Sequence, residues 1–129
     1  MNTKIILTAS ALTLGTLGIL LSFLPNEILK YLQIESSQII IIFMQLLGAL
    51  YLGFGMLNWM AKGSTIGGIY NRPIAIGNFM HFGVGAIALL KIAFSVKEFR
   101  EVVIPLTIVY TIFAVCYGYI FRVNPSKVK

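Results

Sequence analysis

The chain has 129 residues, of which 58% are hydrophobic and 11% charged, with a formal net charge of +6. An ordinary soluble domain carries about 25% charged residues, and a domain of this size buries only ~60–70% of the surface its unfolded chain exposes. A water-soluble core has no room for so much apolar surface, so an integral membrane protein is expected. A separate soluble catalytic domain within these residues is excluded, because no stretch outside the apolar runs is longer than Lys62–Arg72.

Four uncharged runs, Ile5–Asn26, Ser36–Ala61, Pro73–Leu90 and Val102–Phe121, hold two-thirds of the sequence. A hydrocarbon core of ~30 Å takes ~20 helical residues at 1.5 Å each. The expected spans are 5–24, 38–61, 73–96 and 102–121, with Lys91 snorkelling to the interface near the end of the third. A transmembrane β-barrel would alternate polar and apolar residues in ~10-residue segments; Ile39-Ile40-Ile41-Ile42-Phe43-Met44 does not alternate. The first run is too long for the apolar part of a signal peptide, typically 7–15 residues, and no A-x-A-like site follows it, so it is read as a retained helix. The fold expected is all-α, a single integral membrane domain over 1–129. It is a four-transmembrane-helix antiparallel bundle, with a short amphipathic interfacial helix after the first span.

The connections are short. Pro25 ends the first span because proline cannot continue the hydrogen-bond ladder. In Asn26–Glu35 the apolar positions 28, 29, 31, 32 and 34 share one face, with 27, 30 and 33 roughly opposite, which suits a helix lying at the interface. Lys62–Arg72 contains Gly63, Gly67, Gly68 and Asn71 and reads as a flexible loop. Pro73 suits the start of the third span. Lys97–Glu101 is a tight polar turn, and Pro105 is expected in the first turn of the fourth span. Asn124-Pro125 stops that span before a short basic tail.

An even number of spans puts both termini on one side. That side carries Lys4, Lys62, Arg72, Arg122, Lys127 and Lys129 and no acid. The other carries Lys30, Lys91, Lys97 and Arg100 with all the acids, Glu27, Glu35, Glu98 and Glu101. By the positive-inside rule the termini and the Lys62–Arg72 loop are cytoplasmic. The basic face suits anionic lipid. Nucleic acid is not an expected partner, because no basic patch is interleaved with aromatics on a soluble surface.

Lipid supplies no hydrophobic force between helices, so close backbone approach and polar contacts must hold them together. Small residues at four-residue spacing occur as Ala11 and Gly15, Ala49 and Gly53, and Ala114 and Gly118. In the third span His81 lies midway between Gly77 and Gly85, with Asn78 three residues before it. If neighbouring spans run oppositely, Tyr51 and Asn58 of the second and Tyr110 of the fourth reach similar depth. A cluster of Tyr51, Asn58, Asn78, His81 and Tyr110 in the inner half of the bundle is therefore the candidate ligand-binding site. Two roles compete for His81: a functional intramembrane ionisable group, or neutral polar glue between helices.

Trp59, Tyr70, Tyr117, Tyr119 and Phe121 are expected in an interfacial aromatic belt. Met44, Met56, Met60 and Met80 read as gap fillers, and Gln45 as interhelical glue. One cysteine, one histidine and no acid within the spans make no metal site, and no cofactor is expected. Cys116 with His81 lacks the third orienting group that nucleophilic catalysis uses.

Leu24-Pro25, the amphipathic segment ending in Leu32-Gln33-Ile34, and the run from Leu46-Leu47-Gly48-Ala49-Leu50 through Tyr51-Leu52-Gly53-Phe54-Gly55 resemble the small four-helix DoxX-like membrane proteins. The resemblance extends from Phe23 to Lys91, about half the chain. It implies a bacterial inner-membrane protein, some relatives being associated with quinone-linked sulfur oxidation or redox-stress complexes. No catalytic residue carries over, and the paired cysteines of thiol redox work are absent here.

The expected function is non-enzymatic: an accessory or scaffolding subunit acting through helix–helix contacts, in a homo-oligomer or with a membrane partner. The alternative is a binder or carrier of a lipid, quinone or other apolar molecule near His81. An oligomeric pore ranks last, since the third span is polar only in its inner half.

Overall fold

The computed structural model describes residues 2–64, 71–95 and 97–123. Among them every regular element is helical: α1 (Thr3–Phe23), α2 (Pro25–Tyr31), α3 (Gln38–Ala61), α4 (Arg72–Ser95) and α5 (Arg100–Arg122). Four of these, α1, α3, α4 and α5, are long and apolar enough to cross a membrane. Tyr70, the middle of the glycine-rich loop and the tail from Asn124 lie outside the described residues.

Mid-helix side chains such as Leu46 (60% exposed), Ile87 (63%) and Val115 (67%) face outward. Facing water, each would forgo about 1.5–3 kcal/mol of burial; facing hydrocarbon, each is at home. The fold is that of a multi-pass membrane protein. Three threonine hydroxyls within the spans are satisfied along their own helices, as a dry surrounding demands. Thr13 donates to the Ala9 carbonyl at 2.9 Å, Thr107 to Val103 at 2.7 Å and Thr111 to Thr107 at 2.8 Å.

The chain divides into two compact units, one of Leu7–Lys62 and one of Gly63–Lys129 together with Met1–Ile6. In the first unit, α1 buries Leu7, Ser10, Ala11, Leu14 and Gly18 at helical spacing, and α3 buries Gly48, Gly55, Asn58 and Ala61. The two helices run in opposite directions. Ser10 meets Asn58, Gly15 faces Gly55, Gly18 meets Leu52, and Ser22 lies against Gly48. The backbones nearly touch along this seam. A Cβ on Gly48 would stand 2.8 Å from Ser22 N and 2.9 Å from Gly18 O, and one on Gly55 3.1 Å from Gly15 N.

Ala11 and Gly15 of α1 thus lie at the close approach, but on α3 the small residues that serve it are Gly48 and Gly55. Ala49 is exposed, and a Cβ on Gly53 would meet nothing within 4 Å. The spacing of small residues was legible in the sequence, but the rotation of α3 that chooses among adjacent residues was not. Gln45 finds a partner across the same seam, its Nε2 donating to the Ser22 carbonyl at 3.4 Å.

Pro25, which has no N–H to lose at a first helical position, opens α2 immediately after α1. This helix buries Pro25 and Leu29 and leaves Asn26, Glu27, Lys30 and Tyr31 exposed. It ends in a Schellman motif. Ile34 N donates to Leu29 O at 2.9 Å and Gln33 N to Lys30 O at 3.1 Å, with Gln33 left-handed at φ 51°. Ser37 then caps α3, its hydroxyl accepting from Ile40 N at 3.4 Å. At the other end of α3, Lys62 Nζ stands 2.8 Å above the Trp59 ring centroid, a cation–π contact.

In the second unit α4 and α5 form an antiparallel hairpin: Phe79 meets Gly118, Phe82 meets Phe113 and Tyr117, and Gly85 meets Tyr110. Buried residues Ala75, Asn78, Phe82 and Ala86 on α4 and Thr107, Tyr110, Phe113, Tyr117 and Ile120 on α5 recur at three- and four-residue spacing. Two expectations are corrected here. Tyr117, expected in the interfacial belt, is fully buried and stacks on Phe82 (5.8 Å, 7°), because its position continues the inward stripe through Phe113. Pro105, expected in the first turn of its span, lies inside α5. The helix starts early, at Arg100, behind a left-handed Phe99 (φ 60°) whose carbonyl accepts from Val102 and Val103 N at 3.0 Å. Pro105 has no N–H to give the Glu101 carbonyl, and Glu101 is exposed, so the loss falls where solvent or headgroups reach.

Candidate functional site

The polar side chains singled out in the sequence form two groups, one in each unit. In the second unit α4 and α5 position His81 and Tyr110. Tyr110 is buried because its ring covers Gly85: a Cβ there would come within 2.6 Å of Tyr110 Cε1, so only glycine admits the ring. This places the Tyr110 hydroxyl 3.4 Å from His81 Nε2. The imidazole, half-buried, also meets the edge of Phe82 (5.0 Å, 75°), and Phe82 packs in turn on Tyr110 (5.2 Å, 71°). The direction of the His81–Tyr110 hydrogen bond follows the tautomer. The hydroxyl donates when Nδ1 carries the imidazole proton and accepts when Nε2 does.

Asn78, one turn before His81, is fully buried, and its Nδ2 donates to the Ile74 carbonyl at 2.9 Å. An amide so placed is solvated by its own helix, which lowers the cost of keeping it in an apolar interior.

In the first unit, Asn58 is fully buried on α3, and its Nδ2 donates to Ser10 Oγ at 3.1 Å. Ser10 passes its own hydroxyl hydrogen to the Leu7 carbonyl at 3.1 Å. Tyr51 lies two turns earlier on α3 and is half-buried. Ser10 and Phe82 are the two residues the sequence reading missed. A serine in a run with Thr8, Thr13 and Thr16 gives no sign of pairing until the α1–α3 register is known. Phe82 was hidden among nine phenylalanines.

Two shallow apolar grooves open on the outside. One, about 620 Å³, follows α4 and α5 past Phe79, Ala114, Val115, Gly118 and Tyr119 to Arg122. The other, about 360 Å³, follows α1 and α3 past Ala11, Gly15, Gly55, Met56 and Trp59. Among the described residues no group of three or more His, Cys, Asp or Glu side chains comes together to hold a metal. Cys116, half-buried on α5, is a free thiol.

Fold and polar pairs together define a small multi-pass helical membrane protein. No family model, curated protein or solved structure matches the chain.

Proposed function

We propose that the protein is a non-enzymatic accessory or scaffolding subunit of a membrane, working through lateral helix–helix contacts. The observation that carries this reading is the outward strip of α3. Leu46, Ala49, Leu50, Gly53, Leu57 and Met60 fall at three- and four-residue spacing and are all exposed, and the space over Gly53 is open. In lipid, helices associate where small residues let backbones approach. The inward face of the same helix uses Gly48 and Gly55 in that way against α1, and the outward strip offers the same surface to another chain. The charge distribution of the sequence supports cytoplasmic termini, an antiparallel four-helix bundle and an interfacial α2. The resemblance to DoxX-like proteins supports a bacterial inner membrane.

The test is photocrosslinking in native membranes from a reactive side chain at Leu50, with one at Ile87 of α4 as comparison. The expected outcome is a discrete protein adduct, either a homodimer or a fixed partner, from Leu50 alone. Lipid adducts alone from both positions would overturn the reading.

A second reading rests on the His81–Tyr110 pair. A half-buried imidazole bonded to a phenol can present a donor or an acceptor to the polar end of a quinone or lipid, with Asn78, one turn earlier on α4, as a further polar group of such a site. Native mass spectrometry of wild-type and His81→Ala protein tests it. Lower occupancy by a co-purified ligand supports it; unchanged occupancy with reduced thermal stability removes it.

A further inference from the structure

The groove along α4 and α5 has ends of opposite chemistry. Gly118 and Phe79 line it side by side, and a Cβ on Gly118 would stand 3.1 Å from the Phe79 ring. Ala114, exposed Val115 and Tyr119 form its walls, and Arg122 closes one end. The pairing of Phe79 with Gly118 brings Arg72, the first residue of α4, to the same end of the hairpin, about one helical turn from the level of Arg122. Both arginines are exposed.

The dimensions match one leaflet. Ala114 to Arg122 covers ~12 Å of helix axis at 1.5 Å per residue, close to half of a ~30 Å hydrocarbon core. Carbon lines the groove up to Arg122, and Arg72 begins α4 at the same end of the hairpin. Guanidinium binds phosphate oxygens through paired hydrogen bonds with a geometry that lysine lacks.

We infer that this groove is a binding site for an anionic glycerophospholipid. One acyl chain lies along Gly118 and Phe79, and the headgroup phosphate is held by Arg122 with Arg72. The charge at the mouth selects an anionic headgroup over a zwitterionic one. The site is built on α4 and α5 and shares no residue with the α3 strip, so either proposal can fail without the other.

Native mass spectrometry of the full chain in mild detergent, titrated separately with phosphatidylglycerol and phosphatidylcholine, tests this. Wild type is expected to retain one phosphatidylglycerol in preference to phosphatidylcholine. Arg122→Gln should cut that preference roughly five-fold, the weight of one basic residue near a lipid surface. Lys30→Gln, the same charge loss on α2, should leave the preference intact. Gly118→Leu should weaken both lipids. If that variant fails to fold, Val115→Trp blocks the groove from its exposed rim and should do the same. Equal retention of the two lipids by wild type would overturn the proposal. So would a Lys30→Gln effect as large as that of Arg122→Gln, or displacement of phosphatidylglycerol by excess inorganic phosphate, which would mark a site for a soluble anion.

Discussion

Asn58 and Ser10 are joined side chain to side chain at 3.1 Å across the α1–α3 seam, and both are completely buried. Ser10 relays the bond to the Leu7 carbonyl, so the serine hydroxyl is donor and acceptor at once. Interhelical hydrogen bonds of this kind average ~0.6 kcal/mol in one well-measured membrane protein, with a maximum near 1.7. Removing one partner of a buried amide can cost more, about 1–3 kcal/mol. Ser10→Ala should therefore destabilise by about 1–2 kcal/mol. Asn58→Ala in the Ser10→Ala background should cost less than Asn58→Ala alone. Unfolding in mixed micelles, run as a double-mutant cycle, checks this; strict additivity would mean that the bond contributes nothing.

Two glycines of one helix should respond oppositely to the same methyl group. Gly48→Ala places a Cβ against the α1 backbone, which cannot move without separating the helices, and should cost about 1–3 kcal/mol. Gly53→Ala enters open space and gains helix propensity, up to ~0.8 kcal/mol. Melting temperatures in detergent should therefore fall for the first and hold or rise for the second. A fall for Gly53→Ala in the isolated chain would place a contact on that face.

The Tyr110 ring and hydroxyl can be tested separately. Tyr110→Phe keeps the ring over Gly85 and removes the hydroxyl that meets His81, so a small loss, below about 1 kcal/mol, is expected. Gly85→Ala displaces the ring itself, which Phe82 and its neighbours confine, and should cost about 1–3 kcal/mol. Near-ultraviolet circular dichroism should change strongly for Gly85→Ala and slightly for Tyr110→Phe.

At the end of α2, Gln33 holds a left-handed conformation that favours glycine, at a cost near 1 kcal/mol. Gln33→Gly relieves that cost but adds freedom to the unfolded chain. A net gain of about 0.5 kcal/mol is expected, read as slower amide exchange at Ile34, whose N–H closes the motif. Faster exchange there would contradict it.

The long helices were legible because apolar length is written directly in the sequence. Charged residues bound each run, and Pro25 marks where α1 gives way to α2. The His81–Tyr110 pairing was also within reach, because antiparallel neighbours fix depth from residue number. Rotation about each helix axis was not. It separates Gly48 and Gly55, which pack on α1, from Ala49 and Gly53, which face outward, and it takes Tyr117 into the interior while Tyr119 stays exposed. A step of one residue turns a side chain by about 100°, and a helix apolar on all sides offers no polar stripe to set the phase. Pro105 was misplaced for a different reason: the start of α5 depends on backbone geometry at Phe99, which composition does not reveal.

The indole under the Lys62 ammonium is the sole tryptophan of the chain. All indole fluorescence therefore comes from a single spot at the end of α3, next to a fixed positive charge that tunes its colour. The protein carries its own optical depth gauge: bilayers of graded thickness should shift the emission maximum as that spot rides toward or away from water. Brominated lipids of known bromine position would calibrate the scale without any added label.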